Sequence, residues 1–499
     1  MTSIPVSSNA QLEAAHADFS GRYPGYAKTA ILDRLRATDY RRLDESKQIY
    51  LDYTGGSLYG ESQLEQHMEL MRAGVFGNPH SNNPTSTAMT RQLEQSRQYI
   101  LRYFNASAQD YILVFTANAS GALKLVGESF AFSPGGRFLL TFDNHNSVNG
   151  IREFARAKGA AIAYAPLTVP SLRLDVERLE ALLEEADPAH ANLFAFPAQS
   201  NVSGVKHPLS LVDKAQKRGW SVLLDAAAFA PTNRLDLTAV QPDFIAVSFY
   251  KMFGYPTGVG ALLIRKTALT KLRRPWFAGG TVNFVSVQGQ LHILSQGEAA
   301  FEDGTLNYLA IPAVEIGLRH LEAIGMNIIG ERVRCLTGWM LDELLALRHS
   351  NGHAMVRIYG PATTEARGGT VTLNLYDPEG HLLDYRRVEE LAGEEHISLR
   401  TGCFCNPGLG EMAEGLTEDD MKAAQELGAE VNLTSFLRLM QGRGHKSAGA
   451  IRASTGLASN FEDVWRFVQF VGGFRDQTRL AIGEASFNID SCRIIRDGS

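Results

Sequence analysis

At 499 residues the chain is long enough to bury a sizeable core and to form more than one domain. Hydrophobic residues make up 44% and charged residues 20%, which excludes a disordered or fibrous chain. The net charge of −6 offers no basic surface for nucleic acid or an anionic membrane, and four cysteines make no disulfide framework, as in a reducing, cytoplasmic setting.

The first residues, Met1 to His16, carry no Lys or Arg and no long apolar core, so no secretory signal is expected. No apolar run approaches the ~20 residues of a membrane span. Residues 1–45 show helical spacing (Leu12, Ala15, Phe19; then Ile31, Leu32, Leu35) around a Tyr23-Pro24-Gly25-Tyr26 break, which reads as an N-terminal helical arm. From 46 to 312, apolar runs alternate with amphipathic segments. The runs are Tyr111–Thr116, Arg137–Phe142, Ala160–Ala165, Asn192–Phe196, Ser221–Asp225, Phe244–Ser248 and Ala261–Ile264. Continuous apolar strands alternating with helices predict an α/β fold whose mostly parallel sheet is covered on both faces. Residues 313–480 read as a smaller α+β C-terminal domain, with helices over Ala313–Ile324 and Met326–Leu347, strands over Met355–Tyr359 and Gly369–Leu375, and a last helix near Phe461–Phe470. Residues 481–499 form a tail without a clear signal.

Ligands on such sheets bind at the carboxyl ends of strands. Asp225 closes one strand, and Lys251 follows another within Ser248-Phe249-Tyr250-Lys251-Met252-Phe253-Gly254-Tyr255-Pro256-Thr257-Gly258, read as strand, tight glycine-rich loop, strand. A lysine held there suits a covalent bond to a carbonyl. An Asp for a pyridine nitrogen and a Lys for an imine are the two protein groups that pyridoxal 5′-phosphate requires. Alone, each reads better as a helix cap or a solvated cation; it is the pair that carries the cofactor reading. Thr116-Ala117-Asn118-Ala119-Ser120-Gly121 joins a strand to a helix and offers backbone N–H groups and a hydroxyl to a phosphate, although Ser120 could simply be an N-cap. His145, in the loop after the next strand, could stack on a flat ring, whereas a lone loop histidine is more often a surface residue. Gln199-Ser200-Asn201 offers amides to a phenolic oxygen, a weak signal by itself.

In the C-terminal half, Arg400-Thr401-Gly402-Cys403-Phe404-Cys405-Asn406-Pro407-Gly408 holds a C-x-C pair with no second pair at ligand spacing, so no metal site is expected. A thiol in a mobile glycine-rich loop near Arg400 suits a reactive cysteine, against the alternative of a buried structural one. Arg452 lies inside a predicted strand, where an arginine forks onto a carboxylate, either the protein's own or a substrate's.

These residues, with Tyr50-Leu51-Asp52, Phe76-Gly77-Asn78-Pro79-His80-Ser81, Asp143-Asn144-His145-Asn146-Ser147-Val148, Leu224-Asp225-Ala226-Ala227-Ala228 and Phe301-Glu302-Asp303-Gly304-Thr305, carry a family resemblance over roughly residues 20 to 475. The chain resembles fold-type I, class V aminotransferase-superfamily enzymes, which include cysteine desulfurases, and more closely the desulfurase-like N-terminal domain of molybdenum cofactor sulfurases. The resemblance implies that Lys251 bonds the cofactor, Asp225 faces its ring nitrogen, His145 stacks on the ring and Asn201 lies near its phenolic oxygen. It implies that Ala119, Ser120, Ser248 and Tyr250 hold the phosphate, with Thr281 completing that site from the neighbouring subunit of a homodimer. Arg452 matches the arginine that binds the substrate carboxylate, and Cys405 the cysteine that takes sulfur as a persulfide. Where relatives usually carry glycine in the phosphate loop, this chain has Asn118. The activity so implied is desulfuration of a sulfur amino acid, L-cysteine, with delivery to a separate acceptor protein. The alternative on the same scaffold is a C–S lyase or aminotransferase, with Cys405 idle.

Overall fold

The computed structural model describes residues 9–426, 428, 439, 440, 443, 449–483, 486–488 and 493–495. Seven strands form its main sheet: β1 (Tyr111–Thr116), β2 (Arg137–Thr141), β3 (Ala161–Ala165), β4 (Asn192–Pro197), β5 (Trp220–Asp225), β6 (Phe244–Ser248) and β7 (Gly260–Arg265). Their order is β1-β7-β6-β5-β4-β2-β3. Only β7 runs against its neighbours; the pairs β6–β5, β5–β4, β4–β2 and β2–β3 are parallel. The mostly parallel α/β sheet expected from the apolar runs is present, with strand ends within about one residue of them.

The runs are apolar on consecutive positions because both sheet faces are covered. Since side chains alternate across a strand, Leu113, Phe115, Phe194, Phe196, Leu224 and Val247 belong to one core cluster, while Val114, Leu193, Ala195, Leu223, Ala246 and Leu262 belong to another. Two successive reversals, β1 to β7 and β7 to β6, leave β1 pointing the same way as β6. The loops after β1, β2, β4, β5 and β6 therefore all leave at one edge. Register fixes their level: Gly260 lies opposite both Thr116 and Ser248.

A four-stranded antiparallel sheet contains β8 (Val356–Tyr359), β9 (Thr370–Leu375), β10 (Arg400–Gly402) and β11 (Ala450–Ser454) in the order β8-β9-β11-β10. It shares its own core cluster with helices Met326–Ala346 and Phe461–Gly472. The N-terminal helices Asn9–Arg22 and Ile31–Asp39 pack on these two: Phe19 stacks on Phe461 with centroids 4.6 Å apart, and Arg332 bonds Asp33 and Thr29. The Pro24-Gly25 break forms a short 3-10 turn over Pro24–Thr29. Within the tail, Ser486–Asn488 pairs with Arg493–Ile495; the remaining positions of 484–499 lie outside the described residues. Among the described residues, no helix is long and apolar enough to cross a membrane.

Candidate active site

A cavity of about 430 Å³ opens at the carboxyl edge of the main sheet. It brings together Lys251, Asp225, His145, Asn201, Ala119, Ser120, Ser248 and Tyr250, eight positions singled out in the sequence, together with Gln199 of the same amide loop, and adds Ser147 and Thr257. Thr281, Arg452 and Cys405 are not among its lining residues.

Lys251 sits differently from the expected loop. After β6 the chain makes one helical turn, Phe249–Phe253, in which Phe249, Met252 and Phe253 are buried and Lys251 is half-buried. Gly254 ends it at φ +80°, where a Cβ would meet the Leu58 carbonyl carbon at 2.4 Å, so glycine is needed both for conformation and for space. The buried residues clamp the turn and fix the direction of the lysine. Burial, the largest influence, pushes the Lys251 pKa below its ordinary value; Arg452 and Arg400 push the same way, against Asp225 and Asp52. The shift favours the neutral amine, the form that attacks a carbonyl.

Asp225 ends β5 with one carboxylate oxygen accepting from Ala227 N at 3.0 Å, and among the described residues no cation pairs with it within 4.0 Å. The other oxygen is left for a positive group. Asn118 caps the helix Ala119–Ser129, its side chain accepting from Gly121 N at 2.9 Å. The departure from glycine at this position thus supplies a helix cap, a part considered for Ser120 in the sequence. Ser120 instead bonds the Ser147 hydroxyl at 2.6 Å. Gly260 lets β7 lie against this loop, since a Cβ there would meet the Asn118 carbonyl carbon at 2.6 Å. A helix N-terminus flanked by the hydroxyls of Ser120, Ser248, Tyr250 and Thr257 suits a phosphate. His145 Nδ1 accepts from Ser147 N at 3.1 Å, which leaves the proton of the neutral ring on Nε2. Burial, then the charges of Lys251 and Arg452, holds its pKa below the usual value against Asp225, so the ring is neutral at neutral pH. An amine, an unpaired carboxylate, a neutral imidazole and an anion seat in one cavity fit the groups of pyridoxal phosphate.

The Cys403–Cys405 segment is a turn between β10 and the helix Pro407–Glu414, with both thiols exposed and free, and with Phe404 and Asn406 buried between and after them. Its backbone is tied to the cavity loops, not loose as its glycines suggest. Asn201 Nδ2 donates to Phe404 O at 2.9 Å, Asn146 N to Cys405 O at 2.7 Å, and Asn406 Nδ2 to Asp143 O at 2.7 Å and to Asn201 Oδ1 at 2.9 Å. Asn201 therefore lines the cavity with its oxygen and one N–H already committed to this turn. The thiols face different surroundings: Cys405 acts electrostatically on Arg452, and Cys403 on Tyr385 of the helix Tyr385–Glu394. The residues alone could not choose between the two.

Arg452 is buried on β11, directly opposite Arg400 on β10. Like charges facing across strands repel, and Asp52 lies between them: it accepts from Arg452 Nη2 at 2.9 Å and from Arg400 Nη2 at 2.7 Å. Arg452 Nη1 donates to Asn201 O at 3.1 Å, its guanidinium lies 4.9 Å from the Phe404 ring centre, and among the described residues its buried Nε has no partner. Arg400, expected beside a thiol, is turned to Asp52. Sequence reasoning quoted Asp52 within a motif without assigning it a part, and it missed the anchoring Asn406 and the fully buried Asp143–His207 pair at 2.8 Å. Thr281 is buried in its own turn, its hydroxyl engaged by Ala278.

Residues 49–467 match the profile described as aminotransferase class-V. The chain belongs to that family. It is similar to the molybdenum cofactor sulfurase of Solanum lycopersicum, 37% identical over 483 residues, covering 90% of this chain and 58% of the relative, and to that of Homo sapiens, 35% identical over 468 residues, covering 90% and 52%. It thus spans little more than half the length of these curated relatives. Among solved structures it is similar to the cysteine desulfurase of Thermococcus onnurineus NA1 (TM-score 0.71, 24% identity, 87% of this chain and 96% of that one). It is also similar to the cysteine desulfurase CsdA of Escherichia coli (TM-score 0.68, 21% identity, 88% and 97%). The class-V chain therefore has the fold of these enzymes.

Proposed function

We propose that this protein is a pyridoxal-phosphate-dependent, cysteine desulfurase-like enzyme that releases sulfur from L-cysteine as a Cys405 persulfide and leaves alanine, as in molybdenum cofactor sulfurase-type proteins. The observation that carries the reading is the anchoring of an exposed thiol turn, through Asn146, Asn201 and Asp143, to the loops that hold His145 and border Lys251 and Asp225. The names of the relatives and the shared fold support it.

Lys251 would bond the cofactor and Asp225 would pair with its ring nitrogen. His145 would stack on the ring and Asn201 would lie near its phenolic oxygen, while Ala119, Ser120, Ser248 and Tyr250 would hold its phosphate. When bound, the cofactor supplies an electron sink for charge developing at the substrate Cα. Lys251, its pKa lowered by burial and by its cationic neighbours, would take the Cα proton and return one. Arg452, with an orphaned Nε, takes the substrate carboxylate. The Cys405 thiolate attacks the substrate sulfur; as the new S–S bond forms, the C–S bond breaks, and its electron pair leaves with the carbon that becomes the methyl of alanine.

We also propose a homodimer in which the partner subunit's Thr281 completes the phosphate seat. The hairpin Val282–Ser286/Leu291–Leu294 supports this, since Phe284, Val287, Leu291 and Ile293 are exposed on it. A cytoplasmic location with a separate acceptor protein suits the exposed thiols of Cys403 and Cys405, neither of them in a disulfide. Incubating the protein with pyridoxal phosphate and L-cysteine tests the activity. Alanine and protein-bound persulfide in equal amounts are expected; pyruvate with free sulfide would make the protein a C–S lyase instead.

A further inference from the structure

A second cavity, of about 670 Å³, shares no lining residue with the first. Lys206, Arg234, Arg334 and Arg367 line it against one carboxylate, Glu331. That carboxylate is already taken, by Arg334 Nη2 at 2.6 Å and Nε at 2.8 Å. Lys206, Arg234 and Arg367 have no ion-pair partner within 4.0 Å among the described residues. Asp236 feels Arg234 at longer range but is held by Thr238 and Asn105.

Arg367 is the least expected of these cations. It is 4% exposed, yet among the described residues it donates only to backbone carbonyls, of Pro361 and Thr370, and its buried Nε has no partner. Burial and the like charge of Arg173 bring its pKa down to about 9. Among the described residues, Lys206 Nζ meets only Asn233 Oδ1, at 3.3 Å, and burial lowers its pKa too. A buried cation without a counter-charge costs several kcal/mol, and an anion brought between these side chains removes that cost. The cations arrive from different segments: Lys206 after β4, Arg234 after β5 and Arg367 before β9. They converge on one hollow that neutral donors such as Asn327 and Thr364 also line. Three cations without an ion-pair partner around one hollow suit a small anion of more than one charge with several acceptor oxygens.

We propose that this cavity binds a phosphate or phosphomonoester dianion, separately from the phosphate seat at the N-terminus of helix Ala119–Ser129. The test is calorimetric titration of the full chain, saturated with pyridoxal phosphate, with inorganic phosphate and with glycerol phosphate at constant ionic strength. One saturable site per chain is expected. Arg234→Gln and Lys206→Gln should each weaken it by about tenfold or more, since each removes one charge-assisted contact. Arg234 is exposed, so Arg234→Gln will fold and be informative if Lys206→Gln does not. Tighter binding of glycerol phosphate assigns an organic phosphomonoester as the ligand; tighter binding of phosphate assigns the free ion. No saturable binding of either at about 10 mM, binding unaltered in Arg234→Gln, or binding only to protein stripped of pyridoxal phosphate would overturn the proposal. Because the protein is preloaded, failure here leaves the reading of the Lys251 cavity standing, and failure to take up pyridoxal phosphate is seen beforehand.

Discussion

Lys251 is a weaker base than an ordinary lysine because burial, then Arg452 and Arg400, disfavour its ammonium form. Its folded pKa lies below its unfolded one, so between the two the folded state binds fewer protons and stability rises with pH. In cofactor-free protein, competitive labelling across pH should show Lys251 reacting at lower pH than ordinary lysines, which titrate at about 10.4. Arg452→Ala, by removing a cation, should move its pKa upward; a Lys251 that titrates with the surface lysines would refute this electrostatic account. Arg452→Ala should also raise KM for L-cysteine by roughly thirty- to a thousand-fold, the worth of a lost bidentate contact. Arg400 still pairs with Asp52 in that variant, so cofactor colour and fold should survive. Unfolding of Arg452→Ala would instead make Arg452 a structural partner of Asp52. That pairing joins positions 400 residues apart and could not be read along the chain, although an arginine inside an apolar strand did announce that some carboxylate would meet it.

At the scale of elements, the main sheet was legible because burial on both faces forces continuous apolar runs, and its site loops followed from the rule that ligands gather at strand ends. The helices Glu61–Ala73 and Pro84–Tyr103 were not legible as separate elements: each is largely polar, and no strand of the main sheet stands between them. The turn carrying Cys405 was misjudged for a physical reason. Gly402 and Gly408 argue for freedom, whereas its order comes from Asn406, whose side chain reaches Asp143, Asn201 and Leu409 N, three groups set by tertiary contacts. Asn406→Ala should cost about 1–3 kcal/mol of local stability, from three hydrogen bonds at roughly 0.5–1.5 kcal/mol each less compensation by water. Faster hydrogen exchange over residues 401–409 with an unchanged cofactor spectrum is the expected result. Unaltered exchange would mean that the turn is held by other contacts.

Across the whole molecule, the N-terminal helices act as a clamp on the four-stranded sheet and its helices. Arg36 reaches Asp463 at 2.5 and 3.1 Å, both side chains buried, and also bonds Asp44 and Ala458 O. Arg36→Ala strands a buried carboxylate and should destabilise the protein by about 3–5 kcal/mol in denaturant titration. Burial already holds Asp463 above the usual carboxylate range, so the deficit should shrink as pH falls and Asp463 takes up a proton. A deficit that grew toward acid would contradict that assignment. The clamp holds β11 and Arg452 in place beside the main-sheet loops, and between them lies the turn on which the proposed chemistry depends. The most direct test of that chemistry is persulfide and alanine formation from L-cysteine by Cys405→Ala and Cys403→Ala, each loaded with pyridoxal phosphate. Cys405→Ala should keep the cofactor spectrum and lose both products, while Cys403→Ala keeps most of both. Unimpaired turnover in Cys405→Ala would contradict the account.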